Sequence, residues 1–140
     1  MILVDTGFLV SAFEPREKYH SAAIAWLSQH SAPLTTLESV LSECCFFLHG
    51  KPRQQLLNAV SKGALAVQHP DSQAYMRIAS LAEKYRDQDA DYADLALIWL
   101  AETTGYARIL TLDIQDFSIY RIHGRKKFEL LDWTTKAARA

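Results

Sequence analysis

Short apolar runs alternate with longer segments of helical periodicity along this sequence, and this alternation limits the chain to one class of fold. Strands are predicted at about residues 1–5, 32–36, 64–67, 107–112 and 127–131, and helices at about 19–30, 53–62, 71–85 and 91–104. Strands that alternate with helices form βαβ units, whose strands pair in parallel. The sequence therefore predicts an α/β fold with a central, mostly parallel sheet, and a ligand site beyond the carboxyl ends of its strands.

One further helix is predicted from a capping pattern. Glu38 lies three residues after Thr35, which is the spacing of a capping box. This pattern predicts that a helix begins there and runs through Leu48, before Gly50 and Pro52 end it.

The size and charge of the chain exclude some classes of protein. A chain of 140 residues can build one domain with its own core, so residues 1–140 are expected to form a single domain. A net charge of −1 excludes a protein that coats nucleic acid by charge alone, and a charged fraction of 22% excludes a highly charged disordered chain. Neither value excludes a nuclease, because bound metal cations can supply positive charge.

The cysteines and the apolar segments predict a cytoplasmic protein. Cys44 and Cys45 are adjacent, so a disulfide between them would be strained, and two thiols alone cannot complete a zinc site. This usage is typical of a reducing compartment. No apolar segment approaches the ~20 residues that span a membrane. Asp5 interrupts the first apolar run after three residues, which does not fit a signal peptide.

Two aspartates directly follow predicted strands. Asp5 closes the first strand, and Asp113 closes the strand at residues 107–112. The carboxyl ends of parallel strands lie at the same edge of a sheet, so both side chains are expected there. Each could instead be the N-cap of a following helix, a common role for aspartate.

Two further acids lie on apolar helices. Glu43 interrupts the apolar stretch at residues 40–47, and Asp94 shares a helix face with Ile98 and Ala101. An ionised carboxylate on an apolar face is costly unless it is paired or bound to a metal. Asp94 could alternatively interact with the helix dipole from the first turn. Glu43 has the weaker structural explanation.

If the four acids converge, they require a cation. Ionised carboxylates repel one another, and Mg²⁺ prefers oxygen ligands and keeps several waters. One or two such ions can activate a water and stabilise the attacking and leaving oxygens of a phosphodiester. Asp91 and Asp116 are possible accessory residues, because each lies one turn from a member of the quartet. Alternatively, Asp91 is a helix N-cap and Asp116 a solvated acid.

Four motifs in this order resemble those of the PIN-domain ribonucleases, particularly the VapC-type toxins of prokaryotic toxin–antitoxin pairs. The motifs are Leu3-Val4-Asp5-Thr6-Gly7, Ser42-Glu43, Asp91-Tyr92-Ala93-Asp94-Leu95-Ala96 and Thr111-Leu112-Asp113-Ile114-Gln115-Asp116-Phe117. Each motif is short, but their order and spacing are fairly specific. The resemblance extends from Ile2 to about Trp133.

The resemblance implies a fold, an activity and a set of site residues. The acidic quartet of the family, which is catalytic and binds metal, corresponds to Asp5, Glu43, Asp94 and Asp113. Thr6 matches a residue that helps to orient the site. The implied fold is a Rossmann-like, three-layer α/β/α sandwich, and the implied activity is Mg²⁺- or Mn²⁺-dependent cleavage of RNA. A homodimer and a cognate antitoxin that blocks the active site are also implied.

One departure from the family pattern leaves the activity open. Gly7 stands where the family often has Asn or Ser, which leaves all four acids in place but could change the hydrogen bonds around them. An alternative function is therefore a PIN-fold module that binds RNA or a protein partner with weak catalysis. A phosphatase of the haloacid dehalogenase type fits less well, because Gly7 occupies the position of its second aspartate.

The carboxyl-terminal segment is basic within a nearly neutral chain. Its cationic residues are Arg121, Arg125, Lys126, Lys127, Lys136 and Arg139. Such a segment could follow RNA phosphates, although a solvated surface is the commoner reason for a charge cluster. Arg121 is the candidate for an RNA contact near the site, because it follows the last motif closely.

Overall fold

The computed structural model describes residues 1–135, so Lys136 and Arg139 of the basic segment lie outside the described residues. In chain order the elements are β1 (Ile2–Val4), α1 (Thr6–Phe13), α2 (His20–Gln29), β2 (Leu34–Leu37), α3 (Glu38–Phe47), α4 (Lys51–Ser61), β3 (Leu65–Gln68), α5 (Ala74–Lys84), α6 (Tyr92–Thr104), β4 (Arg108–Leu110), α7 (Ile114–Ile119), β5 (Arg121–Ile122), β6 (Lys126–Lys127) and β7 (Glu129–Leu130). Helices and strands thus alternate as the sequence predicts.

Five strands form one parallel sheet in the order β3-β2-β1-β4-β7. The central strand β1 is wholly buried, and its Leu3 pairs with Thr35 on one side and Ile109 on the other. A strand buried on both faces reads as a continuous apolar run, which explains Ile2-Leu3-Val4. The remaining two strands, β5 and β6, form a separate antiparallel hairpin.

The helices cover both faces of the sheet. Helices α1, α2 and α4 pack together along the path from β1 to β3, whereas α5 and α6 pack together on the return from β3 to β4. Right-handed crossovers that run in opposite directions along a sheet place their helices on opposite faces. The arrangement confirms the predicted three-layer α/β/α fold.

The order in which strands are added to the sheet reverses between β1 and β4, which are parallel neighbours. Strands β2 and β3 extend from β1 on one side, and β4 and β7 continue on the other. In such a sheet a crevice opens at the carboxyl ends of the two strands where the order reverses. The backbone N–H of Asp5 donates to the carbonyl of Leu110 at 3.0 Å, which brings the ends of β1 and β4 together at this point.

The helix predicted from the capping pattern is present as α3, but the capping box itself is not formed. Thr35 lies within β2, where its Oγ1 donates to the Ala66 carbonyl at 3.1 Å instead of capping a helix. Strand β2 continues to Leu37 because it pairs with β3 as far as Gln68. Helix α3 therefore begins at Glu38, and Leu37 at its N-cap makes no side-chain cap.

An aromatic cluster closes the core near the end of the described chain. Phe8 contacts the rings of Trp26 and Trp133 edge-on, with ring centroids 5.9 and 4.8 Å apart. The Trp133 Nε1–H donates to the Thr111 carbonyl at 3.1 Å, so the last described segment is fixed to the end of β4. Within the described part of the chain, none of the helices combines the length and apolar character needed to cross a bilayer.

Candidate active site

A cleft of about 350 Å³ lies at the carboxyl ends of β1 and β4. Six acidic residues line it, namely Asp5, Glu17, Glu43, Asp91, Asp94 and Asp113. The other lining residues are Thr6, Gly7, Val10, Ser11, Phe47 and Leu112. The structure thus brings together the four acids predicted from the sequence, and no lysine or arginine is among the described residues that line the cleft.

Asp5 is held rigidly at the end of β1. It is the N-cap of α1, and its Oδ1 accepts a hydrogen bond from the Thr6 backbone N–H at 2.8 Å. Its Oδ2 accepts from the Thr111 hydroxyl at 2.9 Å. Burial raises the pKa of Asp5 to about 6, although both hydrogen bonds favour the ionised form. Asp5 is therefore both a helix cap and a member of the acidic cleft.

Asp94 is the acid whose pKa is shifted furthest. It lies in the first turn of α6, where its backbone N–H donates to Oδ1 of the N-cap Asp91 at 2.9 Å. Its own Oδ2 accepts from the Tyr120 hydroxyl at 2.8 Å. Burial raises the pKa of Asp94 to about 8, and the charges of Asp5, Asp91 and Asp113 add to the effect. The hydrogen bond from the neutral Tyr120 hydroxyl does not offset the cost of burying the charge of this carboxylate.

Asp113 lines the cleft after β4, whereas Asp116 lies behind it in the first turn of α7 and is not among the lining residues. Asp113 is the N-cap of α7, and its Oδ1 accepts from the Asp116 backbone N–H at 3.3 Å. Burial raises the pKa of Asp113. One carboxylate oxygen from each of Asp94, Asp113 and Asp116 lies within 4.8 Å of the others. Three hard oxygen donors at this separation suit a divalent cation such as Mg²⁺.

Glu43 lies at the edge of the cleft, on α3. It is half-buried, and burial together with the charge of Asp91 raises its pKa. The apolar stretch around it is less buried than the sequence suggests, because Phe46 and Phe47 are exposed at the end of α3. The buried Thr6 hydroxyl lies at the cleft wall and interacts with the Glu43 carboxylate, which partly offsets the rise in the pKa of Glu43.

Three residues of the site were not predicted from the sequence. Thr111 donates to Asp5 and also accepts from the Asp113 backbone N–H at 2.9 Å, so it joins the two strand-end acids. Tyr120 is fully buried and donates to Asp94. Glu17 is an exposed acid that lines the mouth of the cleft. Their positions depend on tertiary packing, and no local pattern marks them.

The predicted accessory residues have different positions. Asp91 lines the cleft as the N-cap of α6, whereas Arg121 does not line it. The Arg121 Nη1 donates to the carbonyls of Ser118, Ile119 and Tyr120 at 2.8, 3.1 and 3.0 Å, where α7 ends. An RNA contact by Arg121 stays a prediction.

Gly7 allows a close contact across the cleft wall. A Cβ atom at this position would lie 2.9 Å from Leu112 Cδ1 and 3.0 Å from Leu112 Cγ. The glycine therefore lets the Leu112 side chain pack over the start of α1, in the place where an Asn or Ser side chain would lie. Leu112 lines the cleft next to Asp113.

The sheet order and the acidic cleft at its switch point define a PIN domain. The sequence profile of the PIN domain matches residues 2–122. The chain therefore belongs to the PIN-domain family, as the sequence motifs predict.

Relatives of the chain include VapC proteins. It is 25% identical over 134 residues to ribonuclease VapC26 of Mycobacterium tuberculosis, an alignment that covers 93% of this chain and 99% of that protein. Its fold is similar to the crystal structure of Mycobacterium tuberculosis VapC20, a sarcin-ricin loop cleaving toxin, with a TM-score of 0.67. That match has 14% identity and covers 78% of this chain and 87% of the other. The chain is thus a PIN domain distantly homologous to VapC ribonuclease toxins.

Proposed function

We propose that this protein is a Mg²⁺- or Mn²⁺-dependent endoribonuclease that acts as the toxin of a type II toxin–antitoxin pair. The observation that carries the proposal is the set of six carboxylates around one cleft, with no lysine or arginine among its described lining residues. Such a site repels an RNA backbone unless cations compensate the acids.

The residues of the cleft fit a divalent cation. Asp94, Asp113 and Asp116 offer carboxylate oxygens that lie close to one another. Asp5 lies near Asp94, and its negative charge raises the pKa of Asp94. These acids would hold the metal directly or through water. The bound cation would supply Lewis-acid polarisation of the phosphodiester and the positive charge that the cleft lacks.

Other residues around the cleft would orient the acids and the attacking water. Thr111 holds the carboxylate of Asp5, and Tyr120 holds that of Asp94, so both acids are oriented before substrate arrives. Glu43 lies at the open edge of the cleft, where it can orient the attacking water or help to hold a second ion. A raised pKa suits it to accept a proton from that water.

The proposal includes RNA as the substrate and a cognate antitoxin as a protein partner, because the VapC relative carries the name of a ribonuclease and VapC toxins belong to toxin–antitoxin pairs. It also includes a homodimer, a single domain over residues 1–140 and action in the cytoplasm, where cellular RNA lies. The quartet Asp5, Glu43, Asp94 and Asp113 would be catalytic, with Thr6, Asp91 and Asp116 as accessory residues.

The test compares wild-type protein with Asp5→Asn on structured RNA, in Mg²⁺ and in EDTA. The wild type should cleave only with Mg²⁺. The variant should cleave more slowly by a factor of about 100 or more, because losing one metal ligand removes several kcal/mol of transition-state stabilisation.

The control is Met76→Ala, purified in the same way. Met76 is 80% exposed on α5 and does not line the cleft. This variant should cleave like the wild type. Loss of cleavage in Asp5→Asn but not in the identically purified Met76→Ala would exclude a contaminating nuclease as the source of activity. Equal cleavage by wild type and Asp5→Asn in all conditions would contradict the mechanism. RNA binding without cleavage would favour the non-catalytic PIN-fold module.

A further inference from the structure

Two adjacent phenylalanines are exposed at the end of α3. Phe46 is 74% exposed and Phe47 is 55% exposed. Their ring centroids lie 5.3 Å apart, with an angle of 86° between the ring planes. The opposite side of the helix packs into the core through Val40, Leu41 and Cys44. Two large apolar side chains side by side on a surface indicate a contact site more often than single exposed ones do.

This aromatic pair continues the wall of the acidic cleft. Phe47 lines the cleft together with Glu43, which lies one turn earlier on the same helix. Phe46 extends the apolar surface outward from the rim. A single strand whose phosphodiester bond lies among the carboxylates would pass over these rings on leaving the cleft at this edge.

Basic residues follow the aromatic pair directly in the chain. His49, Lys51 and Arg53 lie just beyond α3, and no Asp or Glu occurs between residues 44 and 70. The Arg53 Nε–H donates to the Leu48 carbonyl at 2.7 Å, and its Nη2 lies 3.3 Å from His49 Nδ1. These contacts hold the guanidinium at the end of the helix that carries both rings. The acidic cleft thus has an aromatic and basic border on this side.

We propose that Phe46 and Phe47 form a stacking platform for bases of single-stranded RNA next to the cleaved bond, and that His49, Lys51 and Arg53 contact the adjoining phosphates. The proposal rests on the ribonuclease function proposed above. Aromatic rings combined with cations along a groove are typical of single-strand binding, because every base has a face that can stack.

A protein partner fits this surface less well. An aromatic side chain buries at most about 250 Å², so two rings supply a fraction of the roughly 800 Å² per partner in a stable protein interface. Continuity with the cleft and the neighbouring cations favour RNA. The proposal therefore assigns to this edge a role in substrate affinity and in selecting unpaired RNA.

The test measures binding of a fluorescently labelled single-stranded RNA of about ten nucleotides to wild type, Phe46→Ala and Phe47→Ala. Ca²⁺ replaces Mg²⁺, so that a divalent cation compensates the acids of the cleft and binding is observed without Mg²⁺-dependent cleavage. A second RNA carries abasic sites in place of its central bases. Wild type should bind the intact RNA about 5- to 100-fold more tightly than the abasic RNA, and each alanine variant should lose most of this preference.

Matched variants separate stacking from folding and from general apolar contact. Phe47→Tyr keeps a ring and should retain the preference, whereas Phe47→Leu keeps an apolar side chain without a ring and should lose it. Met76→Ala, at an exposed apolar residue away from the cleft, should bind both RNAs like the wild type. Thermal melting of each variant checks that the fold is intact.

Three results would overturn the platform. One is an unchanged preference for intact RNA in both alanine variants. Another is equal binding of intact and abasic RNA by the wild type. The third is loss of self-association in the alanine variants with unchanged RNA binding, which would make the surface a protein interface. Mg²⁺-dependent cleavage by the wild type would survive all three, so the proposed function is tested separately.

Discussion

Asp94 and Glu102 lie about two turns apart on the same helix, α6, and their buried carboxylates have opposite surroundings. The Glu102 side chain is 5% exposed and Asp94 is 7% exposed. Arg77 donates to Glu102 through Nε and Nη2 at 2.8 and 2.9 Å, and the His123 backbone N–H donates at 2.7 Å. Within residues 1–135, the Asp94 carboxylate accepts a side-chain hydrogen bond only from the neutral Tyr120 hydroxyl.

The pKa values of the two acids reflect this difference. Burial opposes ionisation of both, but the guanidinium of Arg77 and the His123 N–H hold the pKa of Glu102 below its ordinary value. Burial raises the pKa of Asp94 to about 8. Removing a buried carboxylate that has its own counter-cation leaves that cation unpaired and destabilises the fold, whereas a buried carboxylate without a cation is suited to binding a metal. Three predictions test this distinction.

The largest expected effect is on catalysis. Asp94→Asn should lower Mg²⁺-dependent RNA cleavage by about 100-fold or more, because the amide is a poor ligand for a hard cation. Glu102→Gln, on the same helix, should keep the wild-type rate when both are assayed well below their melting temperatures. Initial rates on one RNA check this prediction. A similar loss of activity in both variants would show that α6 acts through its stability and not through a metal ligand.

The second expected effect is a pH dependence of the metal-free fold. Asp5 and Asp94 have pKa values raised from 3.8 to about 6 and about 8, so the folded protein holds protons that the unfolded chain releases above about pH 4. The free energy of unfolding in EDTA should therefore fall as pH rises from 4 to 8. The slope should be about 1.4 kcal/mol per pH unit for each protonated group, from both acids below pH 6 and mainly from Asp94 above it.

Denaturant titrations at several pH values measure this slope. Mg²⁺ should reduce it, because the ion binds the ionised acids of the folded state. Asp94→Asn should flatten the part between pH 6 and 8 and roughly halve the slope below pH 6, where Asp5 alone then contributes. A slope unaffected by this substitution would contradict the assigned pKa of Asp94.

The smallest expected effect is on stability near neutral pH. Glu102→Gln should lower the free energy of unfolding by about 1–2 kcal/mol, since Arg77 loses its ionised partner and is itself 39% exposed. Asp94→Asn should leave the metal-free stability unchanged or raise it, because it removes a repelling carboxylate and keeps an acceptor for Tyr120. Thermal melts in EDTA compare the two. Destabilisation by Asp94→Asn would assign this acid to the fold.

The sequence predicts the main architecture because its signals are local. The buried strand Ile2–Val4 is a continuous apolar run, and α6 has a long apolar pattern that ends at Gly105. Helices α1 and α7 were not predicted, since α1 is buried on most of its surface and α7 has six residues. The hairpin of β5 and β6 is equally short, with two residues in each strand.

The acids of the site whose positions follow from the strand topology could be predicted from the sequence. Asp5 and Asp113 follow parallel strands, and parallel strands bring their carboxyl ends to one edge. Thr111 and Tyr120 could not be predicted in the same way, because their roles depend on where their hydroxyl groups point after packing. The same limit applies to the contact of Leu112 with Gly7.

The pairing of β1 with β4 also determines when activity can begin during protein synthesis. Asp5 leaves the ribosome 106 positions before its partner Thr111, and the Tyr120 that holds Asp94 follows later still. A nascent chain that lacks this segment can form neither the central strand pair nor the oriented acids. A ribonuclease with this topology would therefore stay inactive until the segment that contains Thr111 and Tyr120 has been translated and folded.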